Sequence, residues 1–404
     1  MKRERREFSL NFFTLSLIEV LSLLVPFLTI PILTRSISSD SYGEYLLFLS
    51  FITFGFTIID YGVQYSGVRD LVKRRKSIKK INAIYIKYQS VRLFLCVAYI
   101  SIVYFYLILS NNELANKFIL FGSIYLLGYL LCSTWFFQGI GRTELILIVT
   151  LITRLSSLFI IVFFIKNDTD IILLYFATSI PMLVSGIIQV VNIKYKFNVD
   201  ILRFSKNSII IRKLKDNFNI FIGILFPNLY STLPVIYVGT VYPMSEYAII
   251  AIALRFFAIA ITIQNVFFRS LFPVLSKIKI DITNKLIIIN IIFSACIILI
   301  VYFFGEQLII WYLGGDYSTV YDYLIIIIIG LLFSGISGTI SQAYFLPNGK
   351  YKKYKAVNVK ASIVSFFISF LFIFEYGLIG CAIGLTISRF LLGIYALYIY
   401  VTDK

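Results

Sequence analysis

The sequence is a succession of apolar stretches, each about as long as a helix that crosses a membrane. Runs such as LIIIIIGLLF at 324–333 are apolar on every side. A spanning helix needs about 20 mainly apolar residues, because backbone groups find no water in hydrocarbon and must bond within the segment. Short segments of alternating polarity, which are typical of membrane strands, do not occur in the sequence. The pattern predicts an all-α, polytopic membrane protein.

Polar breaks between these stretches divide the chain into twelve predicted transmembrane helices. The predicted helices cover residues 10–33, 42–66, 84–109, 118–138, 144–165, 171–193, 217–239, 246–267, 286–304, 320–345, 358–375 and 377–400. Only Glu375, Tyr376 and Gly377 separate the last two, so merging that pair would give eleven spans.

The basic residues alternate between the two sides of this arrangement. The N-terminus, every second connection and the C-terminus hold 28 Lys and Arg, whereas the opposite connections hold three, Arg35, Lys117 and Lys166. Cytoplasmic loops carry the excess of Lys and Arg in membrane proteins. The alternation supports twelve spans and predicts that both termini are cytoplasmic.

The longest polar connection divides the chain into two predicted six-helix lobes, 1–193 and 217–404, joined by a cytoplasmic linker at 194–216. Two short sequence similarities relate the two halves of the chain. PILTRSISSDSYGEYLLF from Pro31 aligns with PVIYVGTVYPMSEYAII from Pro234, and Gly141-Arg142 aligns with Gly349-Lys350. An even number of helices per half makes the repeat parallel, an arrangement that recurs in secondary transporters. Chance stays an alternative explanation for matches this short.

Composition narrows the chemistry. Of 404 residues, 59% are hydrophobic and 14% charged, and histidine is absent. Without histidine a metal or haem centre is disfavoured, and the four cysteines, which all fall in apolar stretches, are expected to pack as small hydrophobes. The formal charge of +17 could suggest nucleic acid binding, but the basic residues are better explained as determinants of topology. We therefore expect no cofactor, no metal and no nucleic acid partner.

Charged residues within predicted spans are the candidate functional residues, because a charge near the bilayer centre costs at least about 2.5 kcal/mol unless it faces a cavity or a partner. Arg154, Arg255 and Arg389 lie midway along their helices. Against them stand Glu19 in the first predicted helix and Asp60 low in the second, so the interior is cationic on balance. An anionic substrate is expected, since the guanidinium fork suits phosphate.

Structural roles are the alternative for the same residues. Glu19 or Asp60 could pair with an arginine to hold the bundle together. Lys87, Arg92 and Lys360 lie nearer cytoplasmic ends, where snorkelling to the headgroups explains them, although Arg92 could guard a cytoplasmic opening.

Four motifs carry a resemblance to a known family: PILTRSISSDSYGEY after the first helix, DYGVQYSGVRD from Asp60, WFFQGIGR from Trp135 and FFRSLFPVLSK from Phe267. Their order and loop positions resemble the polysaccharide transporter branch of the multidrug/oligosaccharidyl-lipid/polysaccharide flippase superfamily. Within that branch, chain length and helix number are similar to the O-antigen flippases of the Wzx type.

This resemblance implies a V-shaped pair of six-helix lobes around a cationic cavity in the bacterial inner membrane. It implies alternating-access transfer of an undecaprenyl-pyrophosphate-linked oligosaccharide to the periplasmic leaflet, with a polysaccharide polymerase and a chain-length regulator as further partners. Arg154, Arg255, Arg389, Arg92 and Arg35 are the candidate substrate-binding residues, and Glu19 and Asp60 are the candidates for ion coupling. No enzymatic activity is expected. The rival functions are a cation-coupled small-molecule exporter of the same superfamily and a polytopic polymerase or glycosyltransferase.

Overall fold

The computed structural model describes residues 2–75, 77–201, 203–275, 283–348 and 350–403; within the helices, the side chains of residues 2–13, 15, 16, 19, 265–275 and 351 are outside the description. Helices account for nearly all of these residues, and no strand occurs among them. The first nine helices in chain order are α1 (Lys2–Ser36), α2 (Ser39–Asp60), α3 (Val63–Arg74), α4 (Ile78–Leu109), α5 (Leu114–Lys117), α6 (Ser123–Leu131), α7 (Thr134–Ile140), α8 (Glu144–Phe164) and α9 (Ile171–Phe197). The remaining six are α10 (Asn207–Val241), α11 (Met244–Leu275), α12 (Thr283–Leu313), α13 (Val320–Ile328), α14 (Gly330–Ile340) and α15 (Tyr351–Thr402).

In the part of the chain that is described, ten helices are long and apolar enough to cross a membrane, with Val20–Ser36 of α1 as a shorter apolar helix. The prediction of a polytopic, all-α membrane fold is confirmed. The count of twelve spans and the cytoplasmic termini stay predictions.

The closely spaced pair predicted at 358–375 and 377–400 lies in α15, Tyr351–Thr402, which consists of two helices joined at Gly377, where the backbone is non-helical. The chain reverses direction there, and this reversal brings the Ser369 and Ser388 hydroxyls, on either side of the break, to 3.0 Å from each other. Gly377 has φ 63° and ψ −135°, a conformation that side chains with a Cβ avoid. A single glycine therefore makes this helical hairpin.

The chain forms two compact units, 1–38 with 47–224, and 39–46 with 225–404. In the first unit α6 packs on α9, α8 on both α9 and α1, and α3 on α7. In the second unit α14 packs on α15 and α12, and α11 packs on α13.

The unit boundaries differ from the predicted lobe boundaries at 193 and 217. α9 continues to Phe197 and α10 begins at Asn207, so the helix-free connection is shorter than 194–216. The first part of α10 belongs to the first unit, because Phe221 stacks on Tyr61 at 4.1 Å between ring centroids and Lys213 pairs with Asp70 at 3.4 Å. A loop prediction from polarity could not include those contacts.

The start of α2 is the second departure, since residues 39–46 belong to the second unit. Asp40 Oδ1 accepts a hydrogen bond from the backbone N–H of Ser245 at 2.9 Å, at the beginning of α11. A Cβ on Gly43 would overlap the backbone of Met244. The close backbone approach at Gly43 fixes this segment against α11.

A buried polar network ties α11, α12 and α14 together in the second unit. Gln264 Nε2 donates to Asn290 Oδ1 and to Ser294 Oγ, both at 2.9 Å, and Asn290 Nδ2 donates to Thr339 Oγ1 at 3.1 Å. All four side chains are almost inaccessible. Interhelical hydrogen bonds of this kind in membranes contribute about 0.6–2 kcal/mol each.

We expect Gly335→Ala to destabilise the protein by about 1–3 kcal/mol, the usual cost of overpacking a core. A Cβ at Gly335 would overlap the amide groups of Asn290 and Gln264. The measurement is thermal or denaturant unfolding in detergent micelles.

Gly223→Ala is the matched control, because a Cβ there meets nothing within 4 Å. An alanine in open helical space should be neutral, or stabilising by up to about 1 kcal/mol. Equal unfolding midpoints for the two variants would show that the network does not constrain the α11–α14 contact.

Candidate functional site

A polar cavity of about 300 Å³ lies within the first unit, among α1, α6, α8 and α9. One face of α8 supplies Thr150, Thr153, Arg154 and Ser157 to its wall. These positions follow the i, i+3, i+4, i+7 spacing of a helix face. Sequence reasoning singled out Arg154 and missed the hydroxyl residues beside it, although this spacing in an apolar helix was the available signal.

Arg154 brings a positive charge to this cavity. Its side chain is half-buried, and among the described residues it makes no hydrogen bond and no ion pair. The hydroxyl of Ser157 donates to the Ala177 carbonyl at 2.6 Å, which joins α8 to α9 behind the arginine. A guanidinium carries five N–H donors, and no described protein group accepts a hydrogen bond from those of Arg154.

Glu19, the predicted partner of an intramembrane arginine, lies on α1 between Ile18 and Ser22, and both of these neighbours line the cavity. The Glu19 side chain lies outside the described residues. Its pairing with Arg154 and its role in ion coupling stay predictions.

The cavity wall includes a break in a helix at Cys132, between α6 and α7. Helix ends leave carbonyls without intrahelical partners, and in a membrane these groups must be satisfied by protein. Arg92 on α4 satisfies them: Nη2 donates to Tyr129 O at 2.9 Å, and Nη1 donates to Leu130 O at 2.9 Å and to Cys132 O at 3.3 Å. Ser133 N donates to Gln189 Oε1 at 3.0 Å on the other side of the break.

Arg92 is 1% exposed, so it does not snorkel to the headgroups. Its Nη atoms are directed at backbone carbonyls, and its guanidinium lies 5.4 Å from the Tyr129 ring centroid. This placement favours a positioning role for Arg92, holding the broken helix at the cavity wall, over direct contact with substrate.

Asp60 ends α2 where the chain turns through Tyr61 and Gly62, both with positive φ. Its Oδ2 accepts a hydrogen bond from Gln64 N at 3.3 Å, and the Gln64 side chain donates to Gln138 on α7. The charge of Arg92 acts on Asp60, although no direct ion pair between them occurs in the described part of the chain. Asp60 therefore belongs to the same polar region of the first unit as the helix break.

The other two central arginines lie in the second unit, so the structure does not bring all three together in one described site. Arg389 is nearly buried, with its guanidinium 3.8 Å from the centroid of Phe257 and its Nη1 3.4 Å from the carbonyl of Leu385 in its own helix. Arg255 is half-buried and acts electrostatically on Tyr42. Neither forms a salt bridge within the described ranges.

Arg35 lies in the last turn of α1 and is exposed. It is not among the residues that line the cavity of the first unit. Its assignment to substrate binding stays a prediction.

A polytopic helical fold with arginines inside its membrane-spanning helices, one of them in a polar cavity, is typical of polytopic membrane carriers. The chain belongs to the polysaccharide biosynthesis protein family, whose sequence profile matches residues 9–279. The family predicted from the four motifs is thereby confirmed.

Among similar proteins, a putative O-antigen transporter of Shigella dysenteriae is 27% identical over 396 residues, which cover 96% of this chain and 98% of the relative. A putative O-antigen transporter of Escherichia coli K12 is 23% identical over 57% of this chain and 55% of the relative.

Two solved structures share the fold of this chain. The lipid II flippase MurJ in an inward closed conformation has a TM-score of 0.71 at 16% identity, covering 96% of this chain and 87% of MurJ. An inward-facing multidrug resistance MATE family transporter has a TM-score of 0.70 at 14% identity, covering 94% of each chain. These similarities confirm the predicted polytopic, all-α membrane fold.

Proposed function

We propose that this protein is a flippase of the bacterial inner membrane that transfers an undecaprenyl-pyrophosphate-linked oligosaccharide from the cytoplasmic to the periplasmic leaflet by alternating access. The observation that carries the proposal is the guanidinium of Arg154 in a polar cavity within the membrane-spanning region, where no described residue pairs with it. Intramembrane charges that face a cavity mark substrate or ion pathways in membrane proteins. The transporter names of the relatives support the same substrate class.

The proposed roles of the individual residues follow from the chemistry of the cavity. Arg154 binds a phosphate of the headgroup, and the surrounding hydroxyls of α8 face its oxygens or the first sugar. Hydrogen bonds to a charged group contribute about 1.5–3 kcal/mol, more than those between neutral groups. Arg255 and Arg389 are proposed to bind anionic groups in the second unit, and Asp60 and Glu19 are proposed to couple the cycle to an ion. The protein itself breaks no covalent bond.

The test is a leaflet-transfer assay in vesicles reconstituted with the purified protein and a fluorescent pyrophosphate-linked oligosaccharide on a polyprenol. A membrane-impermeant reductant bleaches only the outer leaflet. We expect nearly complete bleaching with the protein and about half in empty vesicles. The same lipid with a neutral linker in place of the pyrophosphate should be transferred much more slowly.

Two results would overturn the proposal. Bleaching that stays at the empty-vesicle level while the same vesicles transport cationic dyes would favour the exporter. Elongation of the oligosaccharide without leaflet transfer would favour a polymerase or glycosyltransferase.

A further inference from the structure

A second cavity, of about 210 Å³, lies in the first unit beside the end of α9 and the start of α8. Its polar rim is formed by Arg142, Glu144, Asn192 and Lys196. Its floor is apolar, with Phe137, Leu145 and Ile148 among the lining residues. This cavity is separate from the one that Arg154 lines, since no residue lines both cavities.

The corresponding place in the second unit shows what such a rim binds. There Lys350 follows the helical segment that ends at Phe345, as Arg142 follows α7 in the first unit. Lys350 Nζ pairs with Asp403 Oδ2 at 2.9 Å, at the end of α15, and lies 4.1 Å from the Tyr344 ring centroid. Hydrogen bonds from Lys353 and Lys350 hold the pKa of the Asp403 carboxyl at about 2. In this unit the protein supplies the anion.

In the first unit the corresponding cation is Arg142, and no described carboxylate forms an ion pair with it. Arg142 lies over the ring of Phe197, with 5.9 Å to the centroid, at the end of α9. Within the described ranges it makes no salt bridge with Glu144 or any other carboxylate, and Lys196 makes none either. The two cations outnumber the one carboxylate at the rim, so an external anion would complete the arrangement that Asp403 completes in the second unit.

The floor of the cavity identifies what carries that anion. Ile148 is 53% exposed, and α8 is the least buried of the candidate spans, so the apolar floor opens beside a surface suited to acyl chains. A volume of about 210 Å³ lies below the roughly 300–1,000 Å³ of pockets for drug-sized ligands, which suits one headgroup and not an oligosaccharide. Basic pockets between transmembrane helices bind anionic lipid headgroups in other membrane proteins.

We propose that the Arg142–Lys196 cavity is a binding site for the phosphate headgroup of an anionic phospholipid, such as phosphatidylglycerol, with the acyl chains along the exposed face of α8. Arg142 and Lys196 bind the phosphate, and the floor contacts the glycerol and the first methylenes. This site is independent of the cavity proposed for transport.

The test uses native mass spectrometry of the full chain in detergent micelles, titrated with phosphatidylglycerol or phosphatidylcholine. We expect one phosphatidylglycerol to bind at least tenfold more tightly to the wild type than to the Arg142→Gln/Lys196→Gln double variant. The Lys79→Gln/Lys80→Gln control removes the same charge from the start of α4 and should bind like the wild type. Equal affinity of the wild type and the Arg142→Gln/Lys196→Gln variant would overturn the proposal.

If the double variant does not fold, two measurements on the wild-type protein still test the proposal. Phosphatidylglycerol with a photoreactive acyl chain should label peptides from α8, 144–164, or from 137–143 or 192–197, and labelling confined to other segments would contradict the site. Inorganic phosphate should not displace the lipid at concentrations well above that of the lipid. Displacement of the lipid by phosphate at comparable concentrations would show that the site binds inorganic phosphate, and it would overturn the assignment to a lipid.

Discussion

Replacing Arg92 with methionine is expected to destabilise the first unit by at least about 3 kcal/mol. The substitution removes the donors for the carbonyls of Tyr129, Leu130 and Cys132 at the break between α6 and α7. Each buried carbonyl left without a donor costs about 1–3 kcal/mol, and hydrogen bonds from a charged donor are stronger than neutral ones. Gln89 would still donate to Leu130 O, at 2.6 Å, so the loss is not total.

Unfolding of the purified protein in micelles and the amount of protein recovered from membranes measure this effect. Arg92→Lys should give a smaller loss, because one ammonium keeps the charge but cannot reach all three carbonyls in the fork geometry. Lys87→Met is the matched control on the same helix, since Lys87 makes no hydrogen bond or ion pair with the described residues; it should change stability by less than about 0.5 kcal/mol. An Arg92→Met protein that is as stable as the wild type yet inactive would assign Arg92 to the substrate.

Replacing Arg154 with glutamine should have the opposite profile, with transport reduced at least tenfold and stability almost unchanged. The Arg154 guanidinium has no hydrogen-bond or ion-pair partner among the described residues, so its loss leaves none of their polar groups unpaired. Loss of a hydrogen bond to a charged phosphate costs about 1.5–3 kcal/mol, which corresponds to roughly 10- to 150-fold.

The measurement is the leaflet-transfer assay, with unfolding recorded on the same preparation. Arg212→Gln provides the control, because Arg212 is exposed on the first part of α10 and the substitution removes the same charge. Arg154→Lys should retain part of the activity by keeping the charge without the bidentate fork. Wild-type transfer by Arg154→Gln would remove the cationic cavity from the proposed mechanism.

Much of the fold could be predicted from the apolar pattern, because hydrocarbon imposes the same length and composition on every spanning helix. The family followed from the motifs, and the turn near Glu375 and Gly377 was recognisable from the brief polar interruption. Arg154 was recognisable because a mid-helix charge in a membrane is rare.

Breaks inside apolar stretches could not be predicted in this way. The break at Cys132 and Ser133 contains neither proline nor glycine, and a hydropathy window does not respond to backbone geometry. The role of Arg92 depends on that break, so a residue that looked suited to snorkelling is buried on carbonyls from another helix. The α10 extension was likewise read as a linker, because its partners Tyr61 and Asp70 are distant in sequence.

The amide and hydroxyl network of Gln264, Asn290, Ser294 and Thr339 has one further consequence. Lipid chains contact all sides of an isoleucine-rich helix about equally well. Apolar contacts alone therefore do little to fix the rotation of such a helix about its long axis. The network supplies that preference, because its members meet at a single angular setting of α11, α12 and α14. A few polar groups thus fix the axial rotation of three helices, which their apolar residues alone would not determine.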